Sequence, residues 1–574
     1  MMIKTARILA ALLAAIALAI GFFYRPEEVV KGRTDNIWLL CLLVIGIMLL
    51  VVFWIGRLPV SQTSDPEERL RHNLQRLSSL LIVGFILMSL QLLRQQVVVA
   101  DDLQKPFFTP QDELVQDPRL IREKLTNQRG YIRDTYDNIV AGREVAPKTQ
   151  LVKRTYGNPA INQIIGYYSP LQFGNSGLEA RYDDYLTGRA GANALVNWQR
   201  SLLHQPTVGN DLTLTIEPNF QALAQQKLGK LSGAIVLLDA NSGAVLAMVG
   251  NPNYNPADLA FDPTQDDNQW SQQTKDIQKR WEALNKDPGI PLLVRPTQGL
   301  YTPGSTFKTI TLAAALDLGL TQPESTWNDT GSFTVEGATF KDPNRPDPSR
   351  TTWTTQEAYM FSLNSIFAQM GLAVGGDNLI RYMDNFGFRK AIPFDLPIAN
   401  SLPFLKAGFL TGKAAQASTG FGQGELLTTP LQMALVAATI GRTDGAMPKP
   451  YLVKKITAPN GAVIKQTQPE VWLNPIKPET ARTVRDIMIA SATKGWVGQS
   501  GGSLSGSGAV VGGKTGTAEV GGGVQNAWYI AWASKGDRLF AIAVVVDHQP
   551  GGEGLRLAMP PANELLKAVL ETVK

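Results

Sequence analysis

Three apolar runs, separated by short polar stretches, dominate the first hundred residues. Ile8 to Phe23 gives 16 residues behind Lys4 and Arg7, and Ile37 to Ile55 gives 19. Leu77 to Leu93 is a third run, interrupted by Ser78, Ser79, Ser89 and Gln91. At 1.5 Å per residue a 19-residue helix spans about 28 Å, close to the hydrocarbon thickness of a bilayer. Residues 1–100 therefore read as a membrane region with segments at about 8–23, 37–55 and 77–93. The first run reads as a retained anchor, with Ala17-Leu18-Ala19 offering the alternative of a signal-peptide cut. Arg57, Arg69, Arg71 and Arg76 favour the cytoplasmic side for the loop between the second and third runs. Three crossings, or two after a cut, both leave the C-terminal bulk outside the cytoplasm.

The pattern then changes twice. Residues 101–210 are mixed and polar, with short strand-like pieces such as "GYIRDTYDNIVA", and read as a small pedestal without chemistry of its own. From Asp211 the elements lengthen. "DLTLTI" alternates as a strand does, "EPNFQALAQQKLGKL" has helical periodicity, and "GAIVLLDANSGAVLAMVG" is a hairpin around Asn241-Ser242-Gly243. Helices are expected at about 305–318, 354–360, 365–374, 376–385, 429–440, 478–492 and 561–573. Strands return in "KTGTAEV", "AWYIAWA" and "LFAIAVVVD". Strands at both ends with helices between predict an antiparallel sheet covered by a helical cluster, an α+β domain over 211–574.

Charge and rare residues narrow the chemistry. A net charge of +5 on 574 residues, with no basic stripe, does not suggest nucleic-acid binding. The three histidines, His72, His204 and His548, form no HExxH pair, so neither a zinc site nor a Ser-His-Asp triad is supported. Cys41 is the single cysteine and lies in an apolar run, which leaves no disulfide framework.

Serine and lysine are what remain. In "YTPGSTFKTI", Ser305 and Lys308 stand three apart on one helical turn, about 5–6 Å between Cβ atoms. A desolvated lysine beside another cation can lose its proton near neutral pH and serve as a base. The plain alternative is a capping serine and a solvated lysine. "MFSLNSIF" places Ser362-Leu363-Asn364 at a break between helices, and "GGKTGTAEV" places Lys514-Thr515-Gly516-Thr517 at the start of a strand. Two further matches lack their context. "GAVVGGKT" (508–515) fits a P-loop pattern but follows a Gly/Ser tract and precedes no helix, and "GQSGG" (498–502) lacks the strand-turn-helix of a nucleophile elbow. The ordered trio SxxK, SxN 57 residues on and KTGT 152 further on is far more specific than any one motif.

With this trio the chain resembles the class B penicillin-binding proteins, the monofunctional peptidoglycan D,D-transpeptidases. "RGYIRDTYDNIVA" (129–141) is similar to their RGxIxDRxGxxLA segment, departing at Thr135 and Asp137, and "GLEARYDDYLTG" (177–188) is similar to GLExxYDxxLxG. Three apolar runs where the family usually has one is a further departure, and no glycosyltransferase domain fits in 101–210.

The resemblance implies a penicillin-binding/serine β-lactamase-like transpeptidase domain with roles for particular residues. Ser305 would be acylated by a D-Ala-D-Ala stem peptide, with Lys308 as its base. Ser362 would relay a proton and Asn364 orient Lys308 and the substrate amide. Lys514, Thr515 and Thr517 would face the substrate carboxylate around Gly516, and Lys514 would also hold down the Lys308 pKa. The backbone N–H groups of Ser305 and Thr517 would form the oxyanion hole. It further implies inhibition by β-lactams, no cofactor or metal, residence in the cell membrane with the catalytic domain outside the cytoplasm, and a multi-spanning glycan polymerase as partner. The competing readings are a membrane β-lactam sensor, a scaffold with a dead site, a D,D-carboxypeptidase and a β-lactamase.

Overall fold

The computed structural model describes residues 2–23, 36–54, 66–98, 107–108, 114–115, 118–191, 194–203, 205–342, 345–502, 504 and 506–573. Arg57 and His204 lie outside the described residues. The chain divides into two units, Met1–Lys124 and Leu125–Lys574.

In the first unit the apolar runs form helices α1 (Met2–Phe23), α2 (Asn36–Trp54) and α3 (Pro66–Leu93). Helix α3 starts earlier than its apolar run. Pro66 suits a first helical position, Glu67 and Glu68 complement the dipole of the first turn, and the polar stretch up to Arg76 is carried into the helix. Lys4–Phe23 and Glu67–Gln96 are long and apolar enough to cross a membrane, whereas Ile37–Phe53 is shorter. Leu12, Leu43, Leu81 and Phe85 are exposed. Trp38 is buried, donates its indole N–H to Gln91 and lies 4.9 Å below the Arg94 guanidinium.

In the second unit the strands of the two large sheets are, in chain order, β1 (Ile132–Arg133), β2 (Ile139–Val145), β3 (Val152–Tyr156), β4 (Asp211–Leu214) and β5 (Gly233–Asp239). They continue with β6 (Val245–Asn251), β7 (Val453–Thr457), β8 (Val463–Gln466), β9 (Val510–Glu519), β10 (Val524–Lys535) and β11 (Arg538–Pro550). One sheet has the order β6-β5-β11-β10-β9 and is antiparallel throughout. The other runs β8-β7-β4-β1-β2-β3, with a parallel β1–β4 pair, and so crosses the boundary expected at residue 210.

The helices used below are α4 (Pro218–Leu228), α5 (Asp267–Lys286), α6 (Lys308–Asp317), α7 (Asn364–Val374), α8 (Pro430–Gly441), α9 (Pro478–Thr493) and α10 (Met559–Glu571). The period-2 alternation of β10 and β11 divides the core. Trp528, Ile530, Trp532, Ala541 and Val545 join the cluster that contains α8, while Tyr529, Ala531, Ile542 and Val544 join the cluster of α4 and α10. With helices on both faces the central strands are buried on both sides, and they read as continuous apolar runs. Helix α8 is buried at every position, capped by Thr429, whose hydroxyl accepts the Gln432 N–H at 3.2 Å. The architecture is the α+β expected from the sequence.

The "RG" and "GLE" segments form a buried ionic knot beside β1–β3. Glu179 is fully buried and accepts from Arg129 at 2.7 and 2.9 Å and from Arg154 at 2.6 Å, and Arg129 also reaches Asp183 at 2.6 Å. Buried carboxylates survive only when so matched.

Candidate active site

Ser305 lies on a tight 3-10 turn, Gly304–Phe307, that feeds α6, rather than in an α-helix from residue 305. The cap position is Pro303, so the capping role considered for Ser305 is not realised. The turn is clamped from three sides. Trp528 donates its indole N–H to Thr302 O at 2.9 Å, and Gly304 N–H bonds to Gly422 O at 2.9 Å. On the third side the turn lies against β9, where glycine is required twice. Gly304 has φ +55° and a Cβ there would stand 2.8 Å from Thr517 O; a Cβ on Gly516 would stand 2.7 Å from Pro303 O. Ser305 is half-buried.

Lys308 opens α6 and is fully buried. Its ammonium nitrogen donates to Ser362 O at 2.7 Å, Ser362 Oγ at 3.1 Å and Asn364 Oδ1 at 2.7 Å. Ser305 lies outside this hydrogen-bond set. Lys514, on β9, donates to Ser362 Oγ at 2.9 Å and to Thr515 O at 3.0 Å. The structure thus joins Lys308, Ser362, Asn364 and Lys514 into one network, with Ser305 a turn away. Thr515 and Thr517 alternate on one face of β9, half-buried and exposed, and Thr517 Oγ accepts the Gly554 N–H at 3.5 Å. Strand β9 is the sheet edge.

Two ammonium groups on one hydroxyl in a buried site cannot both be comfortable. Burial pushes Lys308 down to about 7, with the Asp342 carboxylate working in the opposite direction. Lys514 is pushed well below its ordinary value by burial and then by the charge of Lys308. Burial is the first cause of the Lys308 shift, and the repulsion between the two ammonium groups is mutual and disfavours both being charged at once. Aromatic faces partly compensate, Phe367 at 5.3 Å from Lys308 Nζ and Tyr359 at 5.6 Å from Lys514 Nζ.

Asp342 is a participant that sequence reasoning missed. It ends a hairpin of Ser332–Val335 and Ala338–Lys341, and its carboxylate accepts the backbone N–H of Asn364 and, at 2.7 Å, that of Ser365. No local pattern marks it, because it caps a helix that starts 22 residues downstream.

An antiparallel sheet faced by helices, with a serine turn wedged on its edge strand and two buried lysines meeting on a second serine, defines an acyl-transferring enzyme of the penicillin-recognising class. Residues 233–567 match the penicillin binding protein transpeptidase domain, and the chain belongs to that family. It is 32% identical over 531 residues to the peptidoglycan D,D-transpeptidase PbpA of Mycolicibacterium smegmatis, covering 87% of this chain and 99% of that protein. It is 27% identical over 437 residues to the peptidoglycan D,D-transpeptidase MrdA of Acinetobacter baumannii, covering 67% and 59%. Among solved structures, the imipenem acyl-enzyme complex of penicillin-binding protein A from M. tuberculosis superposes with a TM-score of 0.68 at 28% identity, over 78% of this chain and 99% of that one.

Proposed function

We propose that this protein is a peptidoglycan D,D-transpeptidase that cross-links stem peptides through an acyl-enzyme on Ser305 and is inhibited by β-lactams. The observation that carries the reading is the Ser362 hydroxyl held by both lysines, at 2.9 and 3.1 Å. A substrate carboxylate arriving at β9 draws the proton of the pair onto Lys514, beside the hydroxyls of Thr515 and Thr517. Lys308 is left neutral, able to accept the Ser305 proton as Oγ attacks the D-alanyl carbonyl. The backbone N–H groups of Ser305 and Thr517 receive the developing oxyanion, each donor typically contributing about 3–4 kcal/mol. Ser362 then passes the proton from Lys308 to the nitrogen of the departing D-alanine. A second stem-peptide amine attacks the acyl carbon, its proton passing by way of neutral Lys308 to Ser305 Oγ as the ester C–O bond breaks and Ser305 is released.

The names and bound inhibitors of the relatives favour this reading over a sensor, a carboxypeptidase or a β-lactamase. Residues 1–100 serve as membrane anchor, 101–210 as pedestal and 211–574 as catalytic domain, placed outside the cytoplasm. A multi-spanning glycan polymerase is the partner, engaged through α3 and the pedestal; failure of these segments to cross-link with any such polymerase removes that part.

The test is to label detergent-solubilised full-length protein with a fluorescent penicillin and map the tag by mass spectrometry. The tag is expected on the tryptic peptide containing Ser305 and is lost in Ser305→Ala. In parallel, cross-linking of nascent glycan is expected from wild type and not from Lys308→Ala. A tag elsewhere, or cross-linking by Lys308→Ala at the wild-type rate, overturns the reading.

A further inference from the structure

We infer that Asp342 is a positioning residue of this active site: its carboxylate holds the Ser362–Asn364 turn against both lysines and keeps a counter-charge beside Lys308. The inference rests on the transpeptidase reading and adds to it a residue from outside the three motifs.

The geometry is specific. The first backbone donors of a helix lack partners within the helix, and here the two at the start of α7 are taken by one carboxylate, from Asn364 and from Ser365 at 2.7 Å. Asp342 is itself buried, and its own N–H is fixed to Gly331 O at 3.0 Å. The hairpin that carries it is anchored at its turn, where Glu336 accepts the Ala414 N–H at 3.0 Å, and nearer Asp342, where Phe340 packs edge-on against Phe421 at 5.3 Å. The neighbouring carbonyl, Lys341 O, accepts from Asn364 Nδ2 at 3.4 Å. The amide of Asn364 is thereby oriented with Oδ1 toward Lys308. Ser362, just ahead, is held in the left-handed region at φ +58°, a conformation a serine keeps only when its surroundings impose it. The anchored start of α7 on one side, and Lys308 on the Ser362 carbonyl on the other, supply that constraint.

The charge matters as much as the cap. The groups around Lys308 are Lys514 from β9, which shares the Ser362 hydroxyl with it, the uncharged Asn364 and Phe367 from α7, and Asp342 from the hairpin. Asp342 is the one anionic group among them, and its effect on Lys308 is to favour the proton. It thus opposes, without cancelling, the loss of the proton that burial favours.

The experiment compares Asp342→Asn with Asp342→Glu in full-length protein, measuring the second-order rate of acylation by a fluorescent penicillin from pH 5 to 9. With the carboxylate gone, Lys308 loses its proton more easily, so the acid limb of Asp342→Asn moves to lower pH, by about one unit. The displaced turn slows acylation at pH 8 by roughly 10–100-fold. Asp342→Glu, longer but still anionic, slows acylation while leaving the acid limb near the wild-type position. If Asp342→Asn does not fold, Asp342→Ser, which keeps a single cap acceptor, is read in the same way. A neutral variant with the wild-type acid limb, whatever its rate or melting temperature, overturns the inference. Absence of Ser305 labelling in wild type would instead overturn the transpeptidase reading, so the two failures are distinguishable.

Discussion

Replacing Lys308 with methionine should separate stability from activity in a pH-dependent way. In the unfolded chain this ammonium titrates near its ordinary 10.5, while burial brings it to about 7 in the fold. Between those values the unfolded chain binds more protons than the folded one, so folding stability rises with pH across the window. The lysine's contribution is unfavourable at pH 7 and vanishes by about 10.5. At 1.36 kcal/mol per pH unit the cost at pH 7 is about 4 kcal/mol. Methionine fills a similar volume and removes that cost, but it leaves Ser362 O and Asn364 Oδ1 unpartnered, about 1–3 kcal/mol each.

The two effects roughly offset at pH 7, and only the loss remains at 10.5. The stability difference should therefore shift by about 4 kcal/mol toward wild type between the two pH values. Lys514 rises toward its ordinary value once Lys308 is gone, which adds to the shift rather than opposing it. Denaturant unfolding of the detergent-solubilised full chain, followed by tryptophan fluorescence, measures the difference, and penicillin labelling reports the expected loss of acylation. A difference that stays flat with pH would mean that Lys308 keeps its proton in the fold, and its role as base would fall.

Other outcomes follow from the same geometry. Acylation of wild type should climb with pH and reach half its plateau near pH 7, since the neutral amine of Lys308 is the base; stopped-flow labelling across pH 5–9 measures this. Gly516→Ala drives a methyl to 2.7 Å from Pro303 O and 3.0 Å from Thr306 Cγ2, an overpacking of about 1–3 kcal/mol at the nucleophile turn. Acylation should fall roughly 10–100-fold while the melting temperature moves little. Glu179→Ala strands Arg129 and Arg154 in the interior and should destabilise the fold by about 3–5 kcal/mol, visible as a lower denaturant midpoint.

Where local periodicity was strong, the sequence located the elements closely. The hairpin around Asn241, the largely apolar α8 and the two central strands all fall where their patterns place them. SxxK and SxN could be found because each sits at a turn or a helix start, whereas KTGT, expected to open a strand, lies in the middle of β9 because pairing with β10 extends back to Val510. Three features escaped. Helix α5 is polar on most of its surface, and it packs through scattered contacts such as Trp281 on Phe173. The six-stranded sheet gathers β1–β3, β4 and β7–β8 from distant parts of the chain, so no local window signals it. Asp342 and Trp528 act on backbone atoms of remote segments, and a backbone carbonyl or N–H leaves no trace in the amino-acid letters.

The sheet order joins β5 and β6, within residues 233–251, to β9–β11, within 510–550. A growing chain that has emerged as far as residue 500 already carries Ser305, Lys308, Ser362 and Asn364, but neither the second ammonium nor the edge strand. Such non-local pairing closes late, because the intervening loop must be ordered before the contacts repay it. Stalled or clipped products that stop short of Val510 would thus hold a chemically silent serine, and reactivity would switch on only in molecules whose synthesis has run to completion.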